Sequence, residues 1–133
     1  MEFDATVAYA LRGADGYNWN YTVGPGIVAQ HMHPKRWGWN ARNASGHYVA
    51  IEIACPTFSS WVTDAEAITV AWCIRETRKV WPRIPLYLPT HSELEHLGET
   101  GRQDGKSDVY AWWDISKAED LRGRVMAELR DIA

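Results

Sequence analysis

The amino-acid sequence predicts an α/β fold in which helices flank a small central mixed β-sheet. Residues 47–54 alternate, with β-branched residues on one face and other residues on the opposite face, as in a strand. Residues 63–81 predict a long helix, because Thr63 and Glu66 have the spacing of a capping box at its start and Pro82 follows its end. The order of strand and helix and a length of 133 residues fit one domain, residues 1–133.

The elements before this strand are a helix and a hairpin. Residues 2–11 carry apolar residues at helical spacing and are followed by Arg12-Gly13, which ends the helix. Residues 21–23 and 27–30 form the two strands of the hairpin, because the turn sequence Gly24-Pro25-Gly26 separates them.

The elements after the long helix include a strand, a loop and a second helix. Residues 84–88 are apolar and predict a short strand, and residues 93–114, rich in glycine and charge, predict a long loop. Ser116 and Glu119 repeat the capping-box spacing and predict the start of a C-terminal helix. The inward face of that helix is the stripe Leu121, Val125 and Leu129.

Composition excludes several classes of protein. The net charge of −3 argues against a nucleic-acid binder, because such proteins normally carry a concentrated basic surface. No apolar run is long enough for a membrane span. Glu2 and Asp4 stand where a secretory signal carries basic residues, so we expect synthesis in the cytoplasm without a signal peptide. Eight tryptophans favour either bulky core packing or a groove that stacks on flat ligand faces.

Glu52 is the first candidate for chemistry. It lies in the middle of the predicted strand, on the face opposite the β-branched residues. A carboxylate there belongs either to a solvent-facing sheet surface or to the floor of a cleft, and the pattern alone favours the solvent-facing position.

Two further candidates involve histidines. His91 directly follows the predicted strand 84–88 and precedes a loop that contains Lys106 and Asp108; His and Asp are ordinary zinc ligands, and a lysine can stabilise an oxyanion. His31 and His33 would share one face of an extended strand and could hold zinc as an H-x-H pair. In both cases, exposed surface residues without a functional role are the commoner explanation.

Taken together in chain order, these segments resemble the zinc-dependent N-acetylmuramoyl-L-alanine amidases of the type-2 amidase family, which includes phage lysins and the peptidoglycan recognition proteins. The resemblance covers most of the chain. The hairpin, residues 19–30, is similar to the family's Y-H-Y-x-I-x-x-x-G-x-I-x-Q. Gly38-Trp39-Asn40-Ala41, followed by Asn43, is similar to A-W-H-A, and Ile51-Glu52-Ile53 is similar to I-G-I-E. Thr90-His91-Ser92-Glu93 is similar to the family's second zinc histidine and its surroundings, and Lys106-Ser107-Asp108 is similar to K-x-D.

The resemblance implies a role for each candidate. His91 and Asp108 would ligate Zn²⁺, Glu52 would act as general base, and Lys106 would stabilise the tetrahedral oxyanion. Zinc would lower the pKa of its bound water from about 15.7 to about 7, and the bond cleaved would be the amide between N-acetylmuramic acid and L-alanine. Groove residues for the peptidoglycan or muropeptide would be Trp37, Trp39, Asn40, Trp112 and Trp113.

The sequence departs from the family at three histidines. The family's first zinc histidine lies on an early apolar strand that precedes the first helix, and the sequence from Met1 has no counterpart. Asn20 and Asn40 replace two others. Because two protein ligands hold zinc less well than three, three explanations stay open. A partner chain or a second copy completes the sheet, His31 or His33 supplies the third ligand, or the domain binds peptidoglycan without cleaving it.

The retained Glu52, His91, Lys106 and Asp108 favour a catalytic domain of the lysin type, released to act at the bacterial cell wall. A protein-interaction domain, with an exposed sheet edge for a partner strand, is the alternative from a different class.

Overall fold

Three strands and four α-helices form the part of the chain that this computed structural model describes, residues 3–12, 18–54, 61–106 and 109–130. The α/β class is confirmed. In chain order the elements are α1 (Phe3–Arg12), β1 (Tyr21–Gly24), β2 (Ile27–Gln30), β3 (Ile51–Ile53), α2 (Asp64–Val80), α3 (His91–His96) and α4 (Ile115–Arg130). A single 3₁₀ turn, Arg42–Ala44, lies between β2 and β3.

The sheet is mixed and has the order β2-β1-β3. β1 pairs antiparallel with β2, so the predicted hairpin is confirmed, and it pairs parallel with β3. Gly26 has a φ of +68°, a left-handed conformation that suits glycine in a tight turn. Thr22 of β1 therefore lies between Ala29 on one side and Glu52 on the other.

Two strand predictions need correction. The predicted strand 47–54 is reduced to the three residues of β3, because β1 offers only Tyr21–Val23 as a partner. The predicted strand 84–88 is not a strand, although Leu86 and Leu88 pack against the core. Its apolar pattern signals burial, but a strand also needs a neighbour, and Pro85 removes a backbone donor.

The long helix α2 is close to its prediction. The Thr63 side chain accepts a hydrogen bond from the Glu66 N–H, the Glu66 carboxylate accepts one from the Thr63 N–H, and the helix ends at Val80. The C-terminal helix α4 begins at Ile115, so Ser116 lies inside it and does not cap it; the Ala118 N–H already bonds the Asp114 carbonyl. The predicted loop 93–114 also needs correction, because α3 occupies its start.

The core lies between the sheet and the pair α2 and α4. It includes β1 residues Tyr21 and Val23, α2 residues Val70, Ala71 and Ile74, and the α4 residues Leu121 and Val125 predicted to face inward. Leu129 packs against its margin. Burial raises the pKa of Cys73, a free thiol in this core, to about 12. Among the described helices, none is both long enough and apolar enough to cross a bilayer.

Candidate functional site

A cleft of about 730 Å³ lies beside β3 and brings together segments that are distant in the sequence. Residues 49–53 line one part of it and residues 87–91 another, and apolar side chains of α2 and α4 complete the lining. The non-aromatic polar and charged residues that line it, together with His91, are Thr6, Asn40, Arg42, Glu52, Thr90, Asp104, Lys106 and Arg122. Four predicted site residues therefore share one space: Glu52, His91, Lys106 and the groove residue Asn40.

Glu52 lies on β3, the strand beside the cleft. It is the middle residue of the strand, in register with Thr22 of β1, and its neighbours Ile51 and Ile53 pack against the core. Glu52 is half-buried and lines the cleft.

His91 is the first residue of α3, which a second capping box positions. The Thr90 N–H donates to Glu93 Oε1 at 2.8 Å, and the Glu93 N–H donates to Thr90 Oγ1 at 3.1 Å. His91 is half-buried and lines the cleft. The same Thr-x-x-Glu spacing is visible in the sequence, so this helix start could have been predicted.

Arg122 on α4 forms hydrogen bonds to residues on both sides of His91. Its Nη1 donates to Glu93 Oε1 at 2.6 Å and to the Leu88 carbonyl at 3.1 Å, and its Nη2 donates to Glu93 Oε2 at 3.1 Å. Burial acts to raise the pKa of Glu93, but the hydrogen bonds from Arg122 and Thr90 outweigh it, so the pKa lies below its ordinary value. The bidentate pair fixes the backbone on both sides of His91.

Lys106 is exposed and lines the cleft on a loop that Glu95 holds. Glu95 is only 4% exposed, and its Oε1 accepts hydrogen bonds from the N–H groups of Gly105 at 2.6 Å and Lys106 at 3.1 Å. The Gln103 side-chain amide donates to the Glu95 carbonyl at 2.6 Å. Sequence reasoning missed this role of Glu95. Asp108, the second predicted zinc ligand, lies outside the described residues.

His31 and His33 do not line this cleft. Strand β2 ends at Gln30 and the chain bends at Met32, so the extended strand expected to align the two imidazoles is absent there. His31 Nε2 lies 2.7 Å from Thr22 Oγ1, and burial lowers the pKa of this histidine. His33 Nδ1 accepts the backbone N–H of Lys35 at 3.1 Å.

The predicted groove residues are divided among several surfaces. Asn40 lines the cleft, and its Nδ2 donates to the carbonyls of Asn18 at 2.9 Å and Gly38 at 3.0 Å. Trp37 lines a second cleft of about 590 Å³, together with Trp81. Trp39, Trp112 and Trp113 line neither cleft. The aromatic residues that do line the cleft beside β3 are Tyr9, Trp19, Tyr48 and Tyr87.

An ion pair between Arg42 and Asp104 also borders the cleft, and the sequence analysis did not identify it. The Arg42 Nε donates to Asp104 Oδ2, and Arg102 Nε lies 3.1 Å from Oδ1. The hydrogen bond from Arg42 is the main reason that the pKa of Asp104 lies below its ordinary value. Arg42 has a φ of +47°, a strained conformation for a residue with a side chain, and such strain is concentrated at functional sites.

The donor set for zinc is incomplete in the part of the chain that the structure describes. No group of three His, Cys, Asp or Glu side chains there could hold a metal ion. A catalytic zinc site uses three protein ligands, so His91 would need Asp108, which lies outside the described residues, and one further ligand.

Comparison of the chain with protein-family models, with curated proteins and with solved structures yields no significant match.

Proposed function

We propose that this domain is a peptidoglycan amidase of the lysin type, which hydrolyses the amide between N-acetylmuramic acid and L-alanine. The observation that supports this most is the shared cleft. Glu52 from β3, His91 from α3 and Lys106 from the following loop line one space, as the motif order implies. The cleft volume of about 730 Å³ is within the range of small-molecule sites, so it can take part of a muropeptide.

The two proposed catalytic side chains have complementary charges for amide hydrolysis. The Glu52 carboxylate accepts a proton from the attacking water and transfers it to the departing amine of L-alanine. The Lys106 ammonium stabilises the negative charge on the carbonyl oxygen of the tetrahedral intermediate. Zinc belongs to this proposal as the cofactor that the resemblance implies, with His91 and Asp108 as two of its ligands. The third ligand would come from His31, His33 or a partner chain.

The Glu52→Gln variant tests the catalytic proposal. We expect the rate of L-alanine amine release from purified peptidoglycan to fall about 10²- to 10⁴-fold, because the amide cannot accept the proton. Glu128→Gln is a matched control on α4, since Glu128 does not line the cleft. Unchanged release by Glu52→Gln would exclude Glu52 as the base.

The second candidate function is peptidoglycan binding without hydrolysis. It is favoured by the sequence, in which Asn20 and Asn40 stand where the family has histidines. Calorimetry with a soluble muropeptide distinguishes the two functions. Binding without any release of amine by the zinc-loaded protein would support the binding domain and contradict the amidase.

A further inference from the structure

The second cleft, of about 590 Å³, is separate from the candidate amidase site. Three segments line it, residues 34–37, 46–49 and 81–84. It shares only Tyr48 and Val49 with the cleft beside β3, and Glu52, His91 and Lys106 do not line it. Whatever this second cleft binds is therefore a question distinct from amide hydrolysis.

The parts of the sequence that form the second cleft contain no acidic residue. Residues 16–51 and 77–92 have no Asp or Glu, although the chain has 17 of them and a net charge of −3. Lys35, Arg36 and Arg83 line the cleft and are exposed, and no described carboxylate lines it. None of these three cations forms an ion pair with a described residue. The cleft is thus a locally positive surface on an acidic chain, and such a surface attracts an anionic ligand.

A buried asparagine fixes the turn that carries two of these cations. Asn20 is only 1% exposed, and its Nδ2 donates to the carbonyls of His33 at 3.2 Å and Arg36 at 3.0 Å. The Arg36 N–H also donates to the His33 carbonyl at 2.8 Å. The backbone of Lys35 and Arg36 is therefore held in place before any ligand binds, which lowers the entropic cost of binding.

Two indole rings in the second cleft are positioned by contacts but stay accessible. Trp37 is 60% exposed, and it packs against Gly46 so closely that an added Cβ there would lie 3.0 Å from Trp37 Cδ2. Trp81 is 42% exposed; its Nε1 donates to the Pro34 carbonyl at 3.3 Å, and Lys35 Nζ lies 5.6 Å from the centre of its ring. Exposed indole faces stack on flat rings, and nucleic acid bases are such rings.

We propose that the second cleft binds a nucleoside di- or triphosphate. Lys35, Arg36 and Arg83 pair with the phosphate oxygens, and the indole of Trp37 stacks on the base. A neutral sugar fits less well, because its hydroxyls need acceptors as well as donors and the lining contains no Asp, Glu, Asn or Gln. The volume suits one small ligand, and the net charge of −3 disfavours a long nucleic acid.

Calorimetry of the purified full chain, without added metal, tests the proposal. The probes are ADP, pyrophosphate, which lacks the base, and adenosine, which lacks the phosphates. We expect ADP to bind at least about tenfold more tightly than either of the other two, because only ADP makes both the stacking and the phosphate contacts.

Variants of the lining assign these contacts to residues. Lys35→Ala and Arg83→Ala should each weaken ADP binding about fivefold or more, because each removes a charge that pairs with phosphate. Trp37→Leu should remove most of the difference between ADP and pyrophosphate. Lys79→Ala is the matched control, since Lys79 is exposed, pairs with Glu76 and lies outside the cleft. The three substituted side chains are exposed, so the variants should unfold in urea like the wild type.

Three results would overturn the proposal. They are the absence of ADP binding, equal affinity for ADP and pyrophosphate, and ADP binding that Lys35→Ala and Arg83→Ala leave unchanged. If ADP does not bind but phosphatidylglycerol vesicles do, and Lys35→Ala abolishes that binding, the ligand is an anionic membrane surface and not a nucleotide. The measurement needs neither zinc nor peptidoglycan, so its failure and a failure of the proposed amidase are separate results.

Discussion

At the scale of single residues, Glu93 offers a pH-dependent test of how the His91 segment is held. Because the pKa of Glu93 is lower in the folded chain than in the unfolded chain, its ionised form adds stability above the unfolded pKa of about 4.3. That contribution is lost as the pH falls through the folded pKa. Glu93→Gln should therefore lower the unfolding free energy by about 1–3 kcal/mol at pH 7, and by much less near pH 3.

Urea unfolding at the two pH values measures this difference. Glu128→Gln serves as the control, since Glu128 lies on the same helix as Arg122 without an ion pair to it among the described residues. An equal loss of stability at pH 7 and pH 3 would show that the Glu93–Arg122 pair contributes nothing through its charge.

Lys106 is the second residue with a defined expectation. Lys106→Ala should reduce kcat/KM for amide cleavage about 10²-fold, because the oxyanion loses its cationic partner, and Lys106→Arg should recover part of the rate. Lys79→Ala is the control, because Lys79 lies on α2, outside the cleft, with its side chain 70% exposed. A loss of only a few fold in Lys106→Ala would remove Lys106 from the oxyanion role.

His91 is the residue on which the zinc proposal depends. We expect about one zinc per chain in the purified protein, loss of that zinc in His91→Ala, and its retention in His47→Ala, because His47 is exposed and lies on the other cleft. Elemental analysis of the three proteins measures this. His31→Ala and His33→Ala would then locate the third ligand, whereas a wild-type protein without zinc would contradict the metal site.

At the scale of elements, the caps of the helices are the clearest stabilising devices. Thr90→Ala should cost about 1 kcal/mol of unfolding free energy, because the Glu93 N–H at 3.1 Å loses its acceptor. Thr90→Ser keeps a hydroxyl and should cost markedly less. Chemical denaturation of both variants checks this, and equal losses would mean that the threonine methyl group, not the cap, is responsible.

The sequence predicted those elements whose signals are local. The box at Thr63, the turn at Gly24-Pro25-Gly26 and the stripe of α4 all involve residues within a few positions of each other. The lengths of β3 and of segment 84–88 could not be predicted in this way, because a strand depends on the partner beside it. The six-residue helix α3 is too short to show a helical period in the sequence, and its capping box is the only sequence signal that predicts it.

At the scale of the whole molecule, the sequence indicated which segments matter but not how they meet. Glu52, His91 and Lys106 were candidates by motif, and only the fold shows that they line one cleft. The pairing of Arg42 with Asp104 joins residues far apart in the chain, and no local pattern encodes it. Trp37 was expected in the same groove and instead lines another cleft, since aromatic composition does not specify position.

The measurement that tests the central claim most directly is mass spectrometry of the products from purified peptidoglycan treated with the zinc-supplemented protein. Hydrolysis by the cleft of Glu52, His91 and Lys106 predicts stem peptides that begin with a free L-alanine amine and glycan strands that keep a free lactyl carboxylate. The same products should form with Glu128→Gln and be almost absent with Glu52→Gln. Cleavage at any other bond, no cleavage at all, or equal product from Glu52→Gln would contradict the account.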